Sequence, residues 1–364
     1  MPFIDITSST GRVRFHYTIS SPLCANAEVI EPGLPILLFF HALAYHTIFH
    51  SQFSDPILRR FNLVTFDLRW HGDTESDTVP TKYGQEEAAE DVIAFITALQ
   101  LPPCHFVALD LGSIIALQTA VMIPDQVLSL FIMSHTCLEE LPDVQQGRTE
   151  LYELYISGLP GALEDVATGY SQYTFSDNMK NLSQALCKMS MPIDFRNWSA
   201  ECLQEYRLIT YDIFCNRKPQ PPDSLSRISC PVKLLHGENS LVYPLSYTER
   251  LMNSFQEAGV DASMEIIANA PHYLCVDYGN EVNGMIHDFV VQCLPKGSIL
   301  PPTPVNIISP WDKVLREHGW DPKRMNELDD DDLIVSFVCP FIFYCSKDIT
   351  DLKPGQLGWN MKPT

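Results

Sequence analysis

The chain has 364 residues, 46% of them hydrophobic, which suits one large globular domain with an insertion or two small domains. Its formal net charge of −21 argues against binding to a nucleic-acid backbone, an anionic membrane or a polyanionic substrate, because these need clustered lysine and arginine. The opening MPFIDITSST lacks the basic and apolar regions of a signal peptide, and no apolar run approaches about 18 residues. Eleven cysteines without a C-x-x-C pair predict reduced thiols and a cytoplasmic protein.

The first part of the chain alternates strands with helices. Continuous apolar runs such as Ile36–Phe40 are typical of strands that are buried on both faces. Strands that alternate with helices predict a parallel sheet with helices on both faces. The predicted elements are strands at 3–4, 12–17, 36–40 and 63–66, a helix at 53–60, a helix at 85–99, a strand from 104, a helix at 114–122 and a strand at 127–133.

Residues 138–227 interrupt this alternation. Helical segments rich in tyrosine and methionine replace the strands there, at 150–156, 163–174, 178–189 and 200–212. The run Lys-Pro-Gln-Pro-Pro at 218–222 predicts a linker back to the sheet. The sheet resumes with strands at 232–236 and 264–267 and helices at 245–258 and 281–292. We therefore predict a core of residues 1–137 and 228–296 with a helical insertion at 138–227.

Residues 297–364 form a C-terminal extension. It is proline-rich at 297–310, predicts a short helix at 311–318 and carries an acidic run at 329–332. That run lacks the alternation and the glycine of a calcium loop, which favours a solvated turn. The stretch at 333–344 is strongly apolar and is not expected to stay solvated. We therefore expect the extension to pack on the core or to lie at a dimer interface.

The segment Cys-His-Phe-Val-Ala-Leu-Asp-Leu-Gly-Ser at 104–113 carries the main functional signal. An apolar run ends in small-x-Asp-x-small, formed by Ala108, Asp110 and Gly112, and an apolar helical stretch follows. This is the strand–turn–helix context of a nucleophile elbow, where small residues flank a tight turn. We predict that Val107 is the last strand residue and that Asp110 points into a pocket.

Together with four further motifs that occur in the family's order, the elbow resembles the α/β-hydrolase family over about residues 2–294. His41-Ala42-Leu43 resembles the end of the oxyanion strand, and residues 67–73, Asp-Leu-Arg-Trp-His-Gly-Asp, resemble the D-x-R-G-x-G loop. Residues 235–240 resemble the acid loop, and residues 270–273 resemble the histidine loop. The resemblance implies the α/β-hydrolase fold, which is a mostly parallel twisted sheet with helices on both faces and a helical cap at 138–227.

An aspartate at the elbow marks the epoxide hydrolases and haloalkane dehalogenases of this family. The resemblance therefore implies that Asp110 attacks an sp³ carbon and forms an ester, which a water activated by His272 then hydrolyses. It also implies that the backbone N–H groups of Leu43 and Leu111 are the oxyanion donors. Leu111 stands where dehalogenases usually have tryptophan, which argues against dehalogenation. Epoxide hydrolases use cap tyrosines as acids, and the candidates are Tyr152, Tyr155, Tyr170, Tyr173, Tyr206 and Tyr211.

The acid of the catalytic triad is missing from its usual position, because Ser240 stands there. A serine does not stabilise an imidazolium as a carboxylate does. Three explanations remain open. Glu238 reaches the histidine, or Glu139 or Glu140 substitutes for the acid, or His272 works as a dyad with the elbow aspartate.

These features leave three hypotheses for the function. The first is a hydrolase with an Asp110 nucleophile that acts on a small apolar molecule such as an epoxide. The second is a lyase, isomerase or cyclase that uses Asp110 and His272 as an acid–base pair. The third is a ligand-binding protein with a vestigial site. No cofactor is expected, and no metal is expected at His41, His46 and His50, because no carboxylate or cysteine completes a recognisable spacing. A homodimer is left open.

Overall fold

A computed structural model of the protein describes residues 2–43, 46–159, 161–175 and 179–324. Nine strands of these residues form one sheet in the order β1-β2-β4-β3-β6-β7-β8-β9, with β5 paired to β2. β2 pairs antiparallel with β1, β4 and β5, and the remaining pairs are parallel. The strands are β1 (Phe3–Ser8), β2 (Gly11–Ser20), β3 (Ile36–Phe40), β4 (Asn62–Phe66), β5 (Glu75–Ser76), β6 (Cys104–Leu109), β7 (Val127–Met133), β8 (Val232–Gly237) and β9 (Ala262–Ile267).

The α-helices connect and cover the strands. They are α1 (His50–Phe53), α2 (Gln85–Ala98), α3 (Leu111–Met122), α4 (Pro142–Ile156), α5 (Ala162–Phe175), α6 (Asn181–Asn197), α7 (Leu203–Tyr206), α8 (Ile213–Cys215), α9 (Pro222–Leu225), α10 (Leu245–Glu257), α11 (Leu274–Asp277), α12 (Gly279–Cys293) and α13 (Asp312–Glu317). Short 3₁₀ helices lie at His46–Phe49, Leu58–Arg60, Pro124–Gln126, Ala200–Cys202 and Pro322–Arg324, and a π-helix lies at Arg207–Asp212. In the part of the chain that the structure describes, no helix is long and apolar enough to cross a membrane.

The sheet is buried on both faces because its central strands are mostly apolar, and β3 is apolar at every position. Side chains alternate between the two faces of a strand. On β3, Leu38 and Phe40 therefore pack into one buried cluster with α2 and α3, and Leu37 and Phe39 pack into a second cluster with α12. This confirms the predicted parallel sheet with helices on both faces.

Several predicted boundaries are wrong. The helix predicted at 53–60 is two short pieces, because Pro56 lies between α1 and the 3₁₀ turn and has no N–H to donate. Val107 is not the last residue of its strand. β6 continues to Leu109, which pairs with Met133 of β7, so the ladder to the neighbouring strand sets the end of β6.

Between β7 and β8 the described residues form helices and loops, α4 to α9. The helix predicted at 150–156 begins already at Pro142, and the one predicted at 178–189 runs from Asn181 to Asn197. A small aromatic cluster of Tyr155, Val166 and Tyr206 lies within this segment.

After α12 the chain crosses back over the core. Trp311, Leu315 and Trp320 join the same buried cluster as Phe53. Asn181, the first residue of α6, donates from Nδ2 to the carbonyl of Gly319 at 3.0 Å. The predicted acidic run at 329–332 and the apolar stretch at 333–344 lie outside the described residues.

Candidate active site

Asp110 is the single residue between β6 and α3. Its backbone has φ +47° and ψ −113°, a strained conformation for a residue with a side chain. Its carbonyl accepts hydrogen bonds from Ser113 Oγ at 2.5 Å and from Thr136 Oγ1 at 3.0 Å. A Cβ at Gly112 would lie 2.2 Å from the carbonyl oxygen of Phe40, so only glycine fits there. These constraints hold Asp110 at the carboxyl end of the sheet.

The Asp110 carboxylate is buried and contacts two neighbours on the loop after β9. Oδ1 lies 3.3 Å from Nε2 of His272, and Oδ2 accepts from the hydroxyl of Tyr273 at 3.2 Å. Burial alone raises the pKa of Asp110, but His272, Arg148 and the backbone N–H of Leu111 together lower it below its ordinary value. Asp110 is therefore ionised at neutral pH.

His272 is positioned from both ends of its ring. Nδ1 lies 3.1 Å from Oγ of Ser240, and Nε2 faces Asp110. The rings of Tyr173 and Tyr243 lie 5.4 and 5.5 Å from the imidazole, centroid to centroid. A serine hydroxyl can donate or accept, so this arrangement accommodates either neutral tautomer of the histidine.

A cavity of about 770 Å³, part of it open to solvent, lies between the core and helices α4 to α7. Most of its wall is aromatic or aliphatic. Among its lining residues are Leu43, Ile48 and Tyr273 from the core and Tyr155, Tyr170, Trp198 and Tyr206 from the helical segment. Because Tyr273 also donates to Asp110, the cavity ends one side chain away from the carboxylate.

Comparison with known proteins agrees with the fold described above. Residues 35–277 match the family described as the alpha/beta hydrolase fold. The chain belongs to the α/β-hydrolase family. Epoxide hydrolase 3 of Siraitia grosvenorii is 24% identical over 323 residues, an alignment that covers 78% of this chain and 97% of that protein. The predicted fold and the predicted membership of an enzyme superfamily of hydrolases are confirmed.

Solved structures show the same fold. A thermophilic esterase from Thermogutta terrifontis superposes with a TM-score of 0.63 and 17% identity, covering 80% of this chain and 99% of the esterase. An enol-lactonase from Burkholderia xenovorans LB400 superposes with a TM-score of 0.61 and 14% identity, covering 80% of this chain and all of the enol-lactonase, 100%.

At the acid position of the α/β-hydrolase fold, the described residues bring no carboxylate to Nδ1 of His272. Glu238 is exposed, and its Oε2 accepts instead from the backbone N–H of Asn269 at 2.9 Å. The interpretation that Glu238 reaches the histidine is therefore wrong for this structure. Glu139 is also turned away, since it forms an exposed ion pair with Arg250.

Glu140 lies closer to the site but does not contact the histidine. Its buried carboxylate accepts from Arg148 Nε at 2.9 Å, from Arg217 at 3.0 and 3.1 Å and from the hydroxyl of Tyr243 at 2.9 Å. Burial raises the pKa of Glu140, but the two arginines lower it below its ordinary value. Tyr243 therefore links this network to His272, and Arg148 supplies positive charge that favours ionised Asp110.

The two predicted oxyanion residues follow the ends of two neighbouring strands, Leu111 after β6 and Leu43 after β3. Leu111 is the first residue of α3, and its backbone N–H faces the carboxylate of Asp110. A helix N-terminus favours negative charge at this position. Leu43 lines the cavity beyond the end of β3. Ala42 and Leu43 are both buried.

The histidines near β3 have separate protein partners. His41 accepts from the N–H of Leu68 through Nε2 at 2.8 Å, and His50 Nδ1 lies 2.6 Å from Oγ of Ser309. His46 instead joins His16 on the carboxylate of Asp67, a group whose atoms are close enough to suggest a metal. Both carboxylate oxygens of Asp67 are already occupied by these hydrogen bonds, so this group is explained as structural.

Sequence reasoning missed most of the groups around Asp110 and His272. The sequence contains one clue to the role of Tyr273, because this residue directly follows the predicted catalytic residue His272. Arg217 and Tyr243 had none, because they reach Glu140 from 77 and 103 positions away in the chain. Arg148 is only 8 positions from Glu140, but no motif marked either residue.

Proposed function

We propose that this protein is a hydrolase that uses Asp110 as its nucleophile and opens a small, apolar epoxide. The main support is the ionised Asp110 carboxylate at the elbow, held between His272 and Tyr273 and separated from an aromatic cavity by the Tyr273 side chain. A carboxylate attacks an sp³ carbon without first losing a proton, whereas attack on an ester would give a mixed anhydride. The similarity to Epoxide hydrolase 3 supports the same choice of substrate.

In the first proposed step, a carboxylate oxygen of Asp110 bonds to a ring carbon of the epoxide. The carbon–oxygen bond of the ring breaks and its electron pair stays on the epoxide oxygen. That oxygen takes a proton from the hydroxyl of a tyrosine in the cavity wall, such as Tyr170, which regains a proton from water. Tyr273 holds one carboxylate oxygen through its hydroxyl, which fixes the plane of the nucleophile. Arg148 favours the anionic form that this step requires.

In the second proposed step, His272 accepts a proton from water as the water attacks the ester carbon of Asp110. The negative charge then develops on the carbonyl oxygen of the ester, where the N–H of Leu111 already faces the carboxyl group. The bond between the Asp110 carbonyl carbon and the diol oxygen then breaks, the diol oxygen takes the proton from His272, and Asp110 returns as a carboxylate. Ser240 orients the imidazole through Nδ1 but brings no negative charge to stabilise the imidazolium. We therefore expect hydrolysis of the ester to be slower than its formation.

Isotope labelling tests this proposal. With styrene oxide as a neutral aryl epoxide, repeated turnover in water enriched in ¹⁸O should place label in the side chain of Asp110, read from the mass of its peptide. Asp110→Asn should abolish turnover because it removes the charge and keeps the shape. Turnover with label in the product alone, and none in Asp110, would contradict a covalent mechanism.

A second candidate function rests on the serine at the acid position. Without a carboxylate on Nδ1 of His272, the pair of Asp110 and His272 also suits proton transfer in a lyase, isomerase or cyclase. In that case no label enters the protein, yet replacing either residue lowers the rate on the order of 10²-fold or more. A fully active Asp110→Ala variant would exclude both enzyme mechanisms.

A further inference from the structure

The cavity contains one group that the proposed mechanism does not use. Asp194 lies in the last turn of α6 and is the sole carboxyl among the described residues that line the cavity. Its side chain is half-buried and forms no ion pair within the described residues. A carboxyl in an apolar cavity, without a cation, loses much of the solvation that would stabilise its charge.

The surroundings of Asp194 favour the neutral acid. Ser190, one turn earlier on α6, donates its hydroxyl hydrogen to the carbonyl of Cys187 at 3.2 Å, which limits the stabilisation that it can give to a charged Asp194. Burial raises the pKa of Asp194 to about 8, and the nearby charge of Asp67 acts in the same direction, while Ser190 opposes them. Asp194 is therefore protonated at neutral pH.

Among the described residues that line the cavity, the other titratable side chains have pKa values raised by burial. Burial raises the pKa of Tyr155 to about 12 and that of Cys187 to about 11, and it raises the pKa of Tyr206 well above its ordinary value. Asp67 stays ionised, because burial raises its pKa but its histidine partners lower it further. On the side of α6, Arg196 is paired with Asp73.

Aromatic rings stand next to the carboxyl. Tyr155 and Tyr206 are stacked with centroids 3.7 Å apart, and Trp198 lies 5.8 Å from Tyr206. The backbone N–H of Trp198 donates to the backbone carbonyl of Asp194 at 2.9 Å, so the two residues belong to the same helical turn. The buried indole N–H of Trp198 has no partner among the described residues, so the cavity offers aromatic walls together with hydrogen-bond donors. Such a cavity suits a neutral ligand that has an aryl group and an oxygen acceptor.

We propose that Asp194, as a neutral carboxylic acid, donates a hydrogen bond to the oxygen of a neutral aryl-bearing substrate in this cavity. This proposal takes its substrate class from the proposed function. It adds that Asp194, on helix α6, is a group that selects this substrate. A carboxylate at the same place would repel the oxygen and would attract a cation instead.

Binding of two probes of similar shape tests the proposal. Acetophenone has a carbonyl acceptor and ethylbenzene has none, and the quenching of tryptophan fluorescence reports their binding beside Trp198. Below pH 8 acetophenone should bind about five- to tenfold more tightly than ethylbenzene, as expected for one hydrogen bond. This advantage should disappear as the pH rises through about 8.

Three variants separate the donor from the rest of the cavity. Asp194→Asn keeps an N–H donor that does not titrate, so the advantage of acetophenone should persist to pH 9.5. Asp194→Leu should remove the advantage at every pH. Asp165→Asn, on α5 outside the cavity lining, should behave like the unmodified protein.

Two results would overturn the proposal. One is an unchanged preference for acetophenone in Asp194→Leu, and the other is tighter binding of 1-phenylethylammonium than of acetophenone at pH 7. These measurements need no turnover. A missing label on Asp110 would therefore refute the nucleophile and leave the donor intact, and loss of the acetophenone preference would leave the labelling result intact.

Discussion

The turn at Asp110 depends on the absence of a side chain at Gly112. An alanine there would press its Cβ against the carbonyl of Phe40, at 2.2 Å without relaxation. We expect Gly112→Ala to lower the free energy of unfolding by about 1–3 kcal/mol, measured by urea denaturation, because overpacking forces the backbone to shift.

A second helical glycine is the control. No atom lies within 4 Å of a Cβ built on Gly147 of α4. Gly147→Ala should therefore raise the free energy of unfolding by about 0.5–1 kcal/mol, since alanine loses less backbone entropy in a helix. Equal effects of the two substitutions would refute the steric explanation.

Asp194 predicts a pH dependence of stability. Its pKa is about 8 in the folded protein, well above the value of an aspartate in an unfolded chain, about 3.9. The stability is therefore undiminished below about pH 4, and it falls as the pH rises towards 8, because the folded state retains a proton that the unfolded state releases. Asp194→Asn should remove this loss, on the order of a few kcal/mol at pH 8, in urea unfolding series from pH 4 to 9. If the free energy of unfolding changed with pH in the same way in both proteins, the raised pKa of Asp194 would be contradicted.

At the scale of the elements, a buried ion-pair network joins α4 to the loop after β7 and to the segment after α8. Arg148 and Arg217 both bind Glu140, so Glu140→Gln would leave two buried guanidinium groups without their anion. We expect this change to cost about 3–5 kcal/mol of unfolding free energy. Because the pKa of Glu140 is lowered by folding, its contribution should be present above about pH 4.5 and be lost as the pH falls through its folded pKa.

The neighbouring Glu139 is a matched control. It pairs with Arg250, and about half of each side chain is exposed, 49% and 50%. Glu139→Gln should cost less than about 1 kcal/mol. A similar loss in both variants, measured by urea denaturation, would contradict the role given to burial.

The sequence predicted elements well where one local pattern determines them. Apolar runs such as Ile36–Phe40 predicted the buried strands, and small residues around Asp110 predicted the turn before α3. Tertiary contacts determined what was missed. The end of β6 depends on pairing with β7, and the network of Glu140 includes Arg217, which is 77 positions away in the chain. The role predicted for Glu238 failed because its carboxylate accepts from a backbone N–H.

At the scale of the whole molecule, residues after α12 stabilise the core. Trp311 is 1% exposed and packs in the cluster that also contains Phe53. Trp311→Ala should lower the free energy of unfolding by about 3–5 kcal/mol, because it leaves a large cavity. Ile308→Ala, at a side chain that is 58% exposed, should change it by less than about 0.5 kcal/mol. Equal losses in thermal unfolding would contradict this packing, and a dimer interface formed by the extension stays a prediction.

The covalent ester on Asp110 is the central claim, and trapping it is the most direct test. His272→Gln removes the base of the second step and leaves the nucleophile in place. After incubation with styrene oxide, the intact mass of this variant should rise by one epoxide per chain, and fragmentation should place the adduct on Asp110. The double variant Asp110→Asn/His272→Gln should show no adduct. An active wild-type protein whose His272→Gln variant never carries an adduct on Asp110 would contradict the covalent mechanism.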